Sequence, residues 1–241
     1  MTGLIRHIIK LSGCFGIIIL ITFAIFVADG IAAVIPDRTT LNTLLSGGGT
    51  TDDFESYNVA DGSSSVDTSV GSLGSTTLVN GQGPGLVHSG ATYVFTGSFI
   101  QWNGNNYFGL NTKTILCGPS QILEIDYTSP VIAMGIDLEA FSGFPDSVTA
   151  KVYGPGGLIF TSSPISVNGP SPVFFGYQDP GGIVKVIFTG SAYSFSVIID
   201  NHTYGGSPPA SVPTMTEWGM IMFMVLAGLG AIYYLRRERR A

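Results

Sequence analysis

The sequence predicts an all-β body, an antiparallel β-sandwich of jelly-roll type, flanked by an N-terminal signal helix and a C-terminal transmembrane helix. Three observations carry that prediction. Only 11% of the 241 residues are charged, while 33 are Gly and 13 are Pro, a composition that suits many turns better than long exposed helices. From residue 91 onward, short β-branched and aromatic runs alternate with Gly, Pro, Asn or Asp without a helical period, as strands joined by turns do. Two uncharged apolar segments lie near the chain ends, each with Arg or Lys on its outer side.

At the N-terminus, Arg6, His7 and Lys10 precede a run without charge from Leu11 to Ala28, the layout of a signal sequence. Residues 1–33 are therefore expected to be a signal peptide cleaved after Gly30 or after Ala33, or a signal anchor, because the run is long enough to span a bilayer uncleaved. Leu11-Ser12-Gly13-Cys14 matches a lipoprotein pattern, but the apolar run follows Cys14 instead of ending at it, so lipidation is not expected. Cys117 is then the unpaired thiol of the body, expected to be buried as a small hydrophobe.

Residues 34–90 read as an N-terminal strand region with a Gly/Ser-rich loop, its first strand near 52–58. The sandwich follows over 91–205, with strands expected at 92–100, 122–127, 131–138, 147–153, 158–162, 173–177, 183–189 and 193–199. Gly154-Pro155-Gly156-Gly157 and Asp179-Pro180-Gly181-Gly182 read as hairpin turns. Residues 206–217 form a Pro-rich linker and sorting motif, and 218–241 a transmembrane helix with a basic tail. From Gly219 to Leu235 a helix would extend about 25 Å, the lower end of what a bilayer core demands. Trp218 and the pair Tyr233 and Tyr234 would sit at the two interfaces. Arg236, Arg237, Arg239 and Arg240 supply the basic stop. Positive charge outside both apolar segments places both chain ends in the cytoplasm and the body outside.

Charge excludes one class of partner. Between Val34 and Ser211, four Lys and Arg oppose thirteen Asp and Glu, a balance of −9. Nucleic acid is not expected, since the phosphate backbone is bound by clustered positive charge.

The stretch Val212-Pro213-Thr214-Met215-Thr216-Glu217-Trp218-Gly219, followed by an apolar helix and an arginine cluster, resembles the IPTL-CTERM tripartite sorting signal, related in plan to PEP-CTERM signals. Pro213, Thr214, Trp218 and Gly219 match the pattern directly, and Val212 and Met215 depart from it conservatively. The resemblance implies export, with signal peptidase, the inner membrane and an exosortase-like processing enzyme as partners. It further implies C-terminal anchoring, cleavage near the motif and delivery to the cell surface or an extracellular matrix. Pro213 supports an extended, accessible segment there, because it opposes helix on its N-terminal side.

The body resembles the β-sandwich domains found with such signals, which are similar in turn to carbohydrate-binding jelly rolls. Asp53-Phe54-Glu55, the run VIAMGIDL from Val131 to Leu138, Phe174-Phe175-Gly176 and the segment from Ile199 to Tyr204 carry this likeness. It implies that the first and last strands meet, so that Asp52, Asp53, Glu55 and Asp200, with Asn201 adding an oxygen, are candidate ligands of a structural calcium ion, a cation that takes six to eight oxygen ligands. No other cofactor is expected.

Other chemistry is thin. His7, His88 and His202 are too dispersed for a zinc site, and a single loop His is expected to be solvated. No Gly-x-Ser-x-Gly elbow or phosphate-cradling loop occurs. Asp126, Asp137 and Glu139 admit a glycosidase-like pair, though a solvated acidic face is the simpler reading. Trp102, Tyr107, Phe108, Tyr153 and Tyr177 are candidates for a sugar-stacking platform or for core. The expected function is a non-catalytic cell-envelope or extracellular-matrix protein for adhesion or exopolysaccharide and biofilm association. A carbohydrate-binding module and a secreted polysaccharide hydrolase are the alternatives.

Overall fold

The computed structural model describes residues 31–97, 99–118, 122–169, 171–191, 197–206, 223–230 and 236–237. The chain divides into two units, Met1–Pro208 and Pro209–Ala241. Of the expected leader, residues 1–33, the first 30 lie outside the described residues.

In chain order the elements are β1 (Ala33–Ile35), α1 (Arg38–Leu44), β2 (Thr50–Asp52), β3 (Ser64–Asp67), β4 (Ser72–Leu73), β5 (Ala91–Phe95), β6 (Phe99–Asn103), a 3-10 turn (Tyr107–Gly109), β7 (Thr114–Gly118), β8 (Ile122–Glu139), β9 (Asp146–Gly154), β10 (Gly157–Thr161), β11 (Ile165–Val167), β12 (Val173–Gly190) and β13 (Ile198–Gly205). All strand pairs are antiparallel. The first unit is thus the expected all-β antiparallel body.

Its two longest strands make the architecture. β8 and β12 each run for 18 residues and pair along their length, with the register interrupted between Gln178 and Ile183. On one side of that interruption, β12 pairs with β1 and β8 with β13, which also takes up β2 and β7, followed by β6 and β3. On the other side, β12 pairs with β9 and β8 with β5. Two sheet halves therefore share two bent strands. Alternation on β8 directs Leu123, Ile125, Met134, Ile136 and Leu138 into one core with Trp102, Phe175, Val186 and Phe188, the period of two expected of a half-buried strand.

Turn chemistry acts differently at its two expected sites. Gly154 and Gly157 pair across a tight hairpin, and Gly157 takes φ +116, a value open to glycine alone. Asp179-Pro180-Gly181-Gly182, by contrast, lies inside β12, with Asp179 Oδ1 accepting from the Gly181 backbone N–H at 2.9 Å. The expected breaks at 127–131 and 177–183 are bends within single strands. The expected strand 92–100 is instead two, β5 and β6.

The Gly/Ser-rich stretch takes its form from polar side chains. Asp67 accepts from the N–H and hydroxyl of Ser69 and from the N–H of Asn80 at 2.6–2.7 Å. Asn80 Nδ2 in turn reaches the Tyr57 hydroxyl and Ser65 Oγ.

The N-terminal segment packs on the outer face of the β12–β8 pair. Asp37 caps α1 by accepting from Thr40 N–H at 2.8 Å, as N-cap carboxylates do. Leu41 and Phe174 then cover Gly135, and Phe174 covers its cross-strand partner Gly176, which Ile35 flanks in the ladder. A Cβ on Gly135 would stand 2.6 Å from Leu41, and one on Gly176 would stand 2.9 Å from Ile35. Two glycines make the seat.

The second unit corrects the C-terminal expectation. Its described helical residues are 223–230 and 236–237, all exposed, and among the described residues no helix is long and apolar enough to cross a membrane. The expected transmembrane helix, and the C-terminally anchored location inferred from it, are therefore not supported.

Candidate functional site

Two polar assemblies lie on opposite faces of the β8–β13 pair. The inner one is built on His202, which the sequence suggests is a solvated loop residue and which is fully buried. Its Nδ1 meets the Tyr93 hydroxyl at 2.7 Å and its Nε2 the Tyr127 hydroxyl at 2.9 Å. Tyr93 also donates to Asp52 Oδ2 at 2.6 Å. A tyrosine has one proton to give, so His202 Nδ1–H donates to the Tyr93 oxygen while Nε2 accepts from Tyr127. One neutral tautomer satisfies the whole chain. Asp52 Oδ1 accepts from the His88 backbone N–H at 2.6 Å and lies 2.8 Å from His88 Nδ1. Burial lowers the His202 pKa to about 3, with the Arg38 charge adding to it, and burial raises the Tyr93 and Tyr127 hydroxyls well above their usual range. The sequence places β2 and β13 some 150 residues apart, yet Asp52 pairs with His202 in register.

The outer assembly is a belt of carboxyl groups. Period two along β8 puts Asp137 and Glu139 on one face, and register sets Asp200 beside Asp137 and Ile198 beside Glu139. A register shift between Asp200 and Thr203 is made at Asn201, which adopts φ +47. Its side-chain amide donates to Asp200 Oδ2 at 2.8 Å and to Asp137 Oδ2 at 3.2 Å. Thr112 donates to Asp200 Oδ2 at 2.7 Å. Arg38 closes the other end: Nη2 stands 2.7 Å from Asp137 Oδ1 as an ion pair, Nη1 donates to Thr203 Oγ1 at 3.0 Å, and the guanidinium lies over the Phe174 ring. Glu139, 5% exposed, has no hydrogen-bond partner for Oε2 among the described residues. Burial, then the charges of Asp200 and Asp137, push its pKa up to about 8. Burial also lifts Asp200 to about 7, against the opposing bonds from Thr112 and Asn201.

The residues singled out for calcium separate across these features. Asp53 is exposed and accepts from Glu55 N–H at 3.1 Å. Glu55 accepts from Lys113 N–H at 3.0 Å and lies 3.8 Å from Lys113 Nζ. Asp200 belongs to the belt, where the Glu55 charge is the smallest contributor to its raised pKa. Among the described residues, no group of three or more His, Cys, Asp or Glu side chains is arranged to hold a metal ion.

Of the aromatic candidates, Trp102 and Tyr177 are core, Tyr107 and Tyr153 are half-buried, and Phe108 is exposed. Trp102 donates to the Phe54 carbonyl at 2.9 Å and stacks on Tyr57 at 4.7 Å. Asp126 is 3.3 Å from Lys185, on the half of β8 beyond the bend from Asp137 and Glu139.

Beyond the body, Arg236 and Arg237 are described as exposed helical residues. Val212, Pro213, Thr214, Met215, Trp218, Gly219, Arg239 and Arg240 lie outside the described residues. Comparison with protein families decides what they are. Residues 210–240 match the IPTL-CTERM motif. No curated protein matches the chain. An IPTL-CTERM motif behind an antiparallel all-β body supports a sorting-signal-bearing protein of the cell envelope or extracellular space, and the motif implies association with an exosortase-type processing system.

Proposed function

We propose that this chain is a non-catalytic, exported protein whose β body serves adhesion or exopolysaccharide and biofilm association, and whose IPTL-CTERM motif addresses it to an exosortase-type enzyme. The carrying observation is the order of parts: the last body strand ends at Gly205 and the motif begins at residue 210. Where the reactive side chains sit supports a structural body. His202, Tyr93 and Asp52 are tied into one hydrogen-bonded chain inside the core, and Asp137 and Asp200 are held by Arg38, Asn201 and Thr112.

Intact mass of the protein from cells with and without an exosortase-type enzyme tests the address. Loss of residues C-terminal to the motif only when the enzyme is present is the expected result, and identical masses in both strains would overturn it. For the body, a glycan array and release assays on bacterial polysaccharides are informative: retention without product release is expected. Release abolished by Glu139→Gln would make it a hydrolase.

A further inference from the structure

The sequence offers small residues at several places where the leader could end, and the body chooses among them. We infer that the export leader is cut at the Gly30–Ile31 bond, so that Ile31 becomes the N-terminus; this rests on the export reading above.

The choice follows from what the fold uses. β1 is a strand of only three residues, with Ala33 opposite Gln178, Val34 opposite Tyr177 and Ile35 opposite Gly176. Upstream of it, the Ile31 carbonyl accepts from Gln178 Nε2 at 3.1 Å, while Ile31 and Ala32 are exposed. Ile35 is buried with Leu41 and Leu45 on the glycine seat. A cut after Ala33 removes the first pair of the ladder and leaves a charged amine on Val34 inside it. It also leaves part of the β12 edge with unpaired backbone groups, which proteins avoid. Cutting after Ala32 keeps the ladder but puts the new ammonium on its first residue and deletes the Gln178 contact.

Peptidase chemistry points the same way. Leader peptidases take small residues at the first and third positions before the cut. Ala28 and Gly30 satisfy this for the Gly30–Ile31 bond, whereas the Ala33–Val34 bond has Ile31 at the third position. After Gly30, two exposed residues separate the cut from the first paired strand residue; after Ala32 there are none. Water adds across the peptide bond, leaving a carboxylate on Gly30 and an ammonium on Ile31.

The full chain, expressed in an exporting Gram-negative host, is tested by N-terminal sequencing and intact mass of the extracytoplasmic fraction. A mature N-terminus at Ile31 is the expected outcome, with Gly30→Leu causing loss of that species and build-up of precursor. A start at Ala33 or Val34 overturns the inference and leaves export standing. Full-length chain confined to the cytoplasm overturns both. Ala33→Leu is the control: it spoils the alternative cut after Ala33, and disappearance of the mature form in this variant, with precursor still exported, would also overturn the assignment.

Discussion

The two faces of the β8–β13 pair solve the burial of polar groups in opposite ways. On the inner face, one imidazole, two phenols and a carboxylate form a chain in which every proton has a place. On the outer face, three carboxyl groups share one amide, one hydroxyl and one guanidinium, and Glu139 receives none of them. Buried polar groups stabilise when fully bonded and cost free energy when not. The inner chain therefore specifies register between strands far apart in sequence, while the belt is held by proton uptake and by the N-terminal segment.

The largest loss is expected from breaking the inner chain. His202→Leu leaves the Tyr127 and Tyr93 hydroxyls short of a partner inside the core, and about 3–4 kcal/mol of stability should be lost in denaturant unfolding. The native imidazole has its own pH signature. Its folded pKa is lowered to about 3, so the unfolded chain takes up the proton first. Stability from this group is lost as pH falls from about 6.5 toward 3.

Glu139→Gln sharpens the contrast, because it should stabilise. Glu139 is raised to about 8, so between its unfolded value, near 4.5, and 8 the unfolded chain ionises while the folded chain stays protonated. Stability falls as pH rises through that window. The variant should gain up to about 4 kcal/mol at pH 8, nothing at pH 4, and flatten the alkaline limb of thermal unfolding curves. A gain of equal size at both pH values would mean that proton uptake is not the cause.

Arg38→Met removes the cation from the belt and from the Phe174 ring while keeping an unbranched side chain. A loss of about 1–2 kcal/mol is expected, together with faster amide exchange in β1 and α1. Thr112→Val is the smallest change. Losing the hydroxyl that steadies ionised Asp200 should cost about 1 kcal/mol above pH 7 and little below pH 4.

What could be read from the sequence follows the range over which each feature is encoded. The sorting motif is contiguous, so Pro213, Thr214, Trp218 and Gly219 announce it without any structure. The GPGG hairpin is local too. Its counterpart at 179–182 carries the same residue types but serves a bend, because the pairing of β8 continues on both sides of it. That alternation aligns Asp137 with Glu139 was legible; that Asp200 joins them was not, since it depends on register between strands about 60 residues apart. His202 looked solvated for the same reason: Tyr93, Tyr127 and Asp52 come from 75 to 150 residues away. The C-terminal apolar run reads as a membrane span by composition, whereas among the described residues no helix is long and apolar enough to cross one.

The ends of the body carry a mechanical consequence. Ala33 opens β1 opposite Gln178, Gln178 faces Ala133, and Ala133 faces Gly205, where β13 closes. Chain entry and exit thus lie at one level, three strands apart, or about 14 Å. Tension between them runs across the strands and loads the ladder rung by rung instead of all at once. The weakest rungs are the three of β1, and once they part, α1 is drawn off its glycine seat and Arg38 off Asp137. A tug would bare the acidic belt before it disturbed the core.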